Sequence, residues 1–193
     1  MKEYFLNALN RSIQTKKNCI KIGFENLSNM GEEISRSILD GGKLLLCGNG
    51  GSAADAQHLA AELLVRLRSS HNRPPIAAIA LAMDTSTITA CGNDYSFNEI
   101  FERNVIALGK ENDCLLAIST SGNSENIILA MKAAKRRGMK VFAFLGKDGG
   151  KCKNFCDEAF IVPSDNTASI QEVHITIGHA LMELIEDRVI ENS

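Results

Sequence analysis

After Gly42 the chain alternates five times between a short apolar run and a longer stretch with helical spacing. That alternation restricts the fold more than any other feature. The runs are Lys43–Cys47, Ile76–Ala80, Cys114–Ile118, Lys140–Leu145 and Ala159–Val162. They are too short for helices and carry little polar alternation, so they read as strands buried on both faces. Helices are predicted over about 53–68, 85–90 with 97–108, 123–137 and 167–190, with a short turn near 149–155. Strands linked through helices run parallel, and right-handed crossovers place helices on both sides. The predicted fold class is α/β, a three-layer αβα sandwich with a five-stranded parallel sheet over residues 41–193. A helical arm over residues 1–40 precedes it, the whole forming a single domain 1–193.

In the arm, Leu6, Leu9, Ile13, Ile20 and Leu27 form an apolar stripe widened by Ile22 and Phe24. Ser28 or Asn29 is expected to cap a second helix from about Gly31 to Leu39, and Gly41-Gly42 to end it. The stripe packs either on its own domain or on another subunit.

Composition excludes several classes. The 193 residues carry 21 Lys and Arg against 23 Asp and Glu, with no Trp and 5% aromatics. Neither a basic footprint nor a set of base-stacking platforms is present, so no nucleic-acid partner is expected. No apolar run approaches the roughly 18 residues of a membrane span. The N-terminal segment lacks the apolar core of a signal peptide, so a cytoplasmic location is expected. The six cysteines are scattered and read as free thiols. Cys152 and Cys156 have no second pair of the kind a structural zinc site needs.

Two turns carry the chemistry. Cys47-Gly48-Asn49-Gly50-Gly51-Ser52 follows the first strand and opens an Ala-rich helix. On that helix His58 and Glu62 lie four apart, one turn from each other on one face. Ser119-Thr120-Ser121-Gly122-Asn123-Ser124 follows the third strand and opens another helix. Unpaired N–H groups and the dipole at a helix start favour anions, and hydroxyls add short donors. Either turn alone need only start a helix. Neither carries the dinucleotide or nucleotide P-loop pattern. A single phosphate monoester, as on a sugar phosphate, fits better. The last helix embeds Gln171, His174 and His179 among apolar residues. Gln171 and His179 are two turns apart, about 12 Å along the axis. The two histidines, five apart, do not share a face. Each reads equally as a core residue or a functional one.

These segments, with Asp55-Ala56-Gln57-His58, Gly92-Asn93-Asp94, Gly146-Lys147-Asp148-Gly149-Gly150 and Ile170-Gln171-Glu172-Val173-His174, resemble the sugar isomerase (SIS) domain family and, within it, the phosphoheptose isomerases. The resemblance covers nearly the whole chain from about residue 41. It implies conversion of sedoheptulose 7-phosphate to D-glycero-D-manno-heptose 7-phosphate through an enediol(ate), for surface heptose such as that of lipopolysaccharide. By position, it makes Glu62 the catalytic base and His179 the catalytic acid. Ser119, Thr120, Ser121 and Ser124 would hold the phosphate. Asn49, Gly50, Gly51, Asn93, Asp94, Glu62 and Gln171 would contact the substrate. His58, Glu62, Gln171 and His179 would bind zinc, one ion per subunit. A homotetramer with active sites at subunit contacts is also implied.

Moving a carbonyl between C1 and C2 requires a base over that edge and an acid at the oxygen; a carboxylate and an imidazole suit those roles. The chain departs from the family at Ser169, where Arg is usual, at Leu64-Val65, where a small residue and Gly are usual, and at Met83, where Thr is common. Two other classes compete. One is a non-catalytic SIS protein that binds the replication initiator DnaA; such relatives lose the Glu and the last His, which stand here as Glu62 and His179. The other is a sugar-sensing regulator, but no helix-turn-helix with a basic surface is visible.

Overall fold

The computed structural model describes residues 2–192. The chain order is α1 (Lys2–Ile22), α2 (Glu25–Leu39), β1 (Leu44–Gly48), α3 (Gly51–Leu64), β2 (Ala78–Ala80), α4 (Thr85–Asp94), α5 (Ile100–Leu108), β3 (Cys114–Ser119), α6 (Glu125–Arg136), β4 (Lys140–Gly146), β5 (Glu158–Val162) and α7 (Thr167–Glu191). Short 3-10 turns stand at Phe97–Glu99 and Cys152–Asn154. All five strands are parallel, in the order β2-β1-β3-β4-β5.

The apolar runs form strands because every side chain in them has a core to enter. Leu44 and Leu46 of β1 join one core with Leu116 and Phe144; Leu45 and Cys47 join the other with Leu115 and Ala143. Successive strand residues face opposite sides, so one sheet feeds two cores. Helices α2, α3 and α7 cover the first face, and α5 and α6 the second. Helix α2 is thus part of the sandwich, with Met30 and Ile34 fully buried. Helix α1 is different: only Thr15 and Cys19 of its 21 residues are buried.

Two helix boundaries correct the sequence expectation. Helix α2 starts at Glu25, not near Gly31. The break falls at Gly23, whose φ of +79° suits glycine. Ser28 lies inside the helix, its hydroxyl donating to the Phe24 carbonyl at 3.3 Å. Helix α3 ends at Leu64, short of the expected Arg68. There the Arg73 guanidinium, far along the chain, donates to the carbonyls of Glu62 and Leu63, each at 2.8 Å.

His174 belongs to the core. It is fully buried against Phe144, and its Nε2 donates to the Leu145 carbonyl at 3.0 Å. Burial pushes its pKa down from 6.5 to about 4. Between those values the unfolded chain binds a proton that the folded chain refuses. Stability is therefore full above pH 6.5 and falls as pH drops toward 4, by up to about 3 kcal/mol. His174→Gln, which keeps a donor and cannot titrate, is expected to flatten this part of the pH profile of urea midpoints. Parallel profiles for the two proteins would contradict the assignment. No helix among the described residues is long and apolar enough to cross a membrane.

Candidate active site

The order of the strands reverses between β1 and β3: the chain moves outward to β2 on one side and to β4 and β5 on the other. In open α/β sheets ligands bind beyond the carboxyl ends of strands at such a switch point. Both polar turns lie there, one after β1 and one after β3. A reciprocal amide pair ties them together. Asn49 donates to Asn126 Oδ1 at 2.9 Å and Asn126 donates back to Asn49 Oδ1 at 2.8 Å. Asn126, in the first turn of α6, is a partner that nothing local in the sequence announces.

Along α3, Gly51, Asp55, His58 and Glu62 follow one another at steps of four, three and four, which is one stripe of the helix. Helix α7 lies along that stripe in the same direction. Gln171 packs on Gly51, where a Cβ would come within 2.2 Å of its Nε2. Further on, Gly178 admits Leu59; a Cβ on Gly178 would meet Leu59 Cδ1 at 2.8 Å. This close approach lets the neighbouring residues touch. His58 Nε2 is 2.8 Å from His179 Nε2, with the rings edge to face. Glu62 Oε1 is 3.3 Å from His58 Nε2. One donor atom from each of the three lies within 4.8 Å of the others.

At 2.8 Å one imidazole nitrogen donates its hydrogen and the other accepts, so at least one ring is neutral. Neutral imidazoles and a carboxylate are the ligands a divalent transition metal takes. Tetrahedral bonds of about 2.0–2.1 Å put neighbouring ligand atoms about 3.3 Å apart. Two of the three separations, 2.8 and 3.3 Å, are close to that spacing and the third lies within 4.8 Å, so the residues fit a metal with a small adjustment of side chains. Access is one-sided: the His58 side chain is 48% exposed and that of Glu62 16%.

Asp55 is a site residue to which the sequence patterns assign no role, although its place in the stripe was the available signal. It is buried, and its Oδ2 has no hydrogen-bond partner among the described residues. Burial pushes its carboxyl pKa up, while the Gln171 amide and the imidazoles of His58 and His179 pull it down.

The second turn is built around Gly122. With φ +64°, a Cβ there would meet the Gly149 carbonyl at 2.2 Å, so the Gly149-Gly150 loop closes directly on it. Inside the turn, Gly122 N–H donates to Ser119 Oγ and Asn123 N–H to Ser121 Oγ, each at 3.1 Å. Ser119 and Ser124 hydroxyls lie 3.4 Å apart. No side chain caps the start of α6. The result is a hydroxyl-bearing turn at a helix N-terminus, with Thr120 half-buried in it.

Two expected site residues have side chains that pair only with each other among the described residues. Asn93 and Asp94 are exposed at the end of α4, and Asn93 Nδ2 donates to Asp94 Oδ1 at 2.7 Å. The departing positions are structurally quiet. Ser169 is buried in the first turn of α7 with its N–H on the Asn166 cap at 3.0 Å, and Met83 is exposed. All six cysteines are free.

Comparison with known proteins agrees with this geometry. The SIS domain model matches residues 7–146, which makes the chain a SIS-domain protein. The phosphoheptose isomerase of Clostridium acetobutylicum is 49% identical, covering 96% of this chain and 95% of the relative. That of Nitratidesulfovibrio vulgaris is 55% identical over 81% of this chain and 74% of the relative. The structure of the phosphoheptose isomerase from Neisseria gonorrhoeae superposes with a TM-score of 0.90 at 43% identity, covering 96% of this chain and 98% of that one. The chain belongs to the phosphoheptose isomerase family.

Proposed function

We propose that the protein is an aldose–ketose isomerase that converts sedoheptulose 7-phosphate to D-glycero-D-manno-heptose 7-phosphate through an enediol(ate), for surface heptose biosynthesis. The observation that carries this reading is the meeting of Glu62, His58 and His179 on α3 and α7, α3 being the helix that opens at the switch point beside the hydroxyl-lined turn. A family relationship at 49% identity over nearly the full length supports it.

In this reading the phosphate sits on Ser119, Thr120, Ser121 and Ser124, where the α6 dipole favours its charge. Asn49, Gly50 and Gly51 line the sugar from the first turn, and Asn93 and Asp94 contact it as well. Glu62 removes the C1 proton and returns it to C2. His179 gives a proton to the C2 oxygen and takes one from the C1 oxygen, a role an imidazole fills near neutral pH. The two oxygens of Glu62 divide the work, since Oε1 faces His58 and Oε2 is left for the proton. The triad would hold a zinc ion, whose contribution when bound is to polarise the substrate carbonyl; Gln171, seated on Gly51 at the start of the stripe, would contact the sugar. The test is incubation of the purified protein with sedoheptulose 7-phosphate and NMR of the sugar pool. Appearance of the aldose is the expected result; an unchanged ketose defeats the reading.

The same reading makes the protein a cytoplasmic homotetramer, with sites at subunit contacts. What supports assembly is α1, which leaves Tyr4, Phe5, Leu6, Leu9, Ile13 and Ile20 more than half exposed along one helix. Such a continuous apolar surface is unusual on a monomer. Sedimentation equilibrium is expected to give four times the 21.0 kDa chain mass; a monomer mass would contradict the assembly.

A further inference from the structure

The packing of α3 on α7 continues past the triad and ends in a buried ion cluster. Arg73, in the loop entering β2, is 3% exposed at its side chain. Its Nε donates to Glu186 Oε1 at 2.8 Å, its Nη2 to the Glu62 carbonyl and its Nη1 to the Leu63 carbonyl, each at 2.8 Å. Glu186 is fully buried on α7 and takes a second bond from Arg68 Nε to its Oε2 at 2.7 Å. Arg68 also pairs with Asp187.

Two placements give this cluster its meaning. Glu186 is seven residues past His179, so the two share a stripe of α7 about 10 Å apart. Glu62 is in the last turn of α3, where carbonyls lack intrahelical partners and the helix frays. One guanidinium therefore ties the backbone of Glu62 itself to the helix that carries His179. A lysine could supply the charge but not this fork of donors.

We infer that Arg73 and Glu186 are positioning residues for the isomerisation: they fix the last turn of α3 on α7 so that the Glu62 carboxylate stays in register with His179. This rests on the proposed roles of Glu62 and His179. A buried ion pair is a poor source of stability, since well-packed apolar residues in its place are often neutral or stabilising. Register of the reacting groups is a different matter, because displacement by about 1 Å can cost about a hundredfold in rate. The phosphate turn lies at the other end of α3, so substrate binding should be spared.

The test uses Arg73→Met/Glu186→Leu, which swaps the pair for apolar side chains, and Arg73→Lys, beside Glu62→Gln and Arg68→Gln. The double variant is expected to keep its melting temperature above the assay temperature, and to lose about ten- to a hundredfold in kcat at little change in KM. Arg73→Lys is expected to lose kcat in the same range, and Arg68→Gln, which leaves α3's carbonyls untouched, to retain it. Wild-type kcat in the double variant overturns the inference. So does failure of both Arg73 variants to fold at the assay temperature, because the pair would then be holding the fold rather than the site. Full turnover in Glu62→Gln would instead remove the underlying reading, so the two failures are distinct.

Discussion

Glu62→Gln is expected to lower kcat by about a hundred- to ten-thousandfold, the usual contribution of a positioned base, while the fold and phosphate binding survive. Glutamine matches glutamate in shape, so packing of the stripe against α7 is preserved. It cannot take a proton from carbon. The side chain is 16% exposed and lies beside the open edge of the site, so no buried charge is left unpaired by the change. The hydroxyl-lined turn belongs to β3 and α6, elements the substitution does not touch. Initial rates would be measured beside ³¹P chemical-shift titration with the sugar phosphate. Loss of turnover with binding retained is the expected pair of results. Wild-type turnover would remove Glu62 as base.

Chelation is expected to bring turnover close to zero, and zinc alone to restore it. His58 and His179 converge nitrogen to nitrogen at 2.8 Å, a contact that satisfies one ring only if the other gives up its hydrogen. A shared cation satisfies both lone pairs at once, together with the Glu62 oxygen. Protons compete with such an ion for the same nitrogens, so its affinity is expected to be lower in acid. The check is activity of chelator-treated, dialysed enzyme before and after one equivalent of metal. Full activity in metal-free protein would take the ion out of the reaction and leave His58 and His179 as a hydrogen-bonded pair.

The sheet was legible because burial on both faces writes an uninterrupted apolar run, and Leu44-Leu45-Leu46 cannot be read as anything that faces water. Strand limits shifted by at most two residues for that reason. Helix ends were less legible. The start of α2 is set by the conformation of Gly23, and the end of α3 by an arginine nine residues beyond Leu64. Two of the triad's three residues were written locally, in the four-residue step from His58 to Glu62. The third was not, since His179 arrives through a helix contact made possible by Gly178 and Leu59, 121 residues beyond His58.

The separation between Gln171 and His179 persists in the fold. Because α7 runs parallel to α3, Gln171 meets Gly51 and Asp55 near the start of the stripe and His179 meets His58 further along it. Asp55 was hidden for an ordinary reason: an aspartate in an Ala-rich helix reads as solvated, and only the neighbouring helix makes it buried. The Asn49–Asn126 pair and the Arg73 cluster are likewise products of tertiary packing, with no trace in local spacing.

Proton transfer at carbon is the central claim, and isotope exchange reads it directly. Sedoheptulose 7-phosphate would be incubated with the protein in deuterium oxide, and recovered sugars examined by NMR and mass spectrometry. Deuterium at C2 of the aldose and at C1 of the recovered ketose, absent with Glu62→Gln, is the expected result. Aldose formed with no solvent deuterium at either carbon, or label that persists in Glu62→Gln, would contradict a Glu62-borne enediol(ate) path.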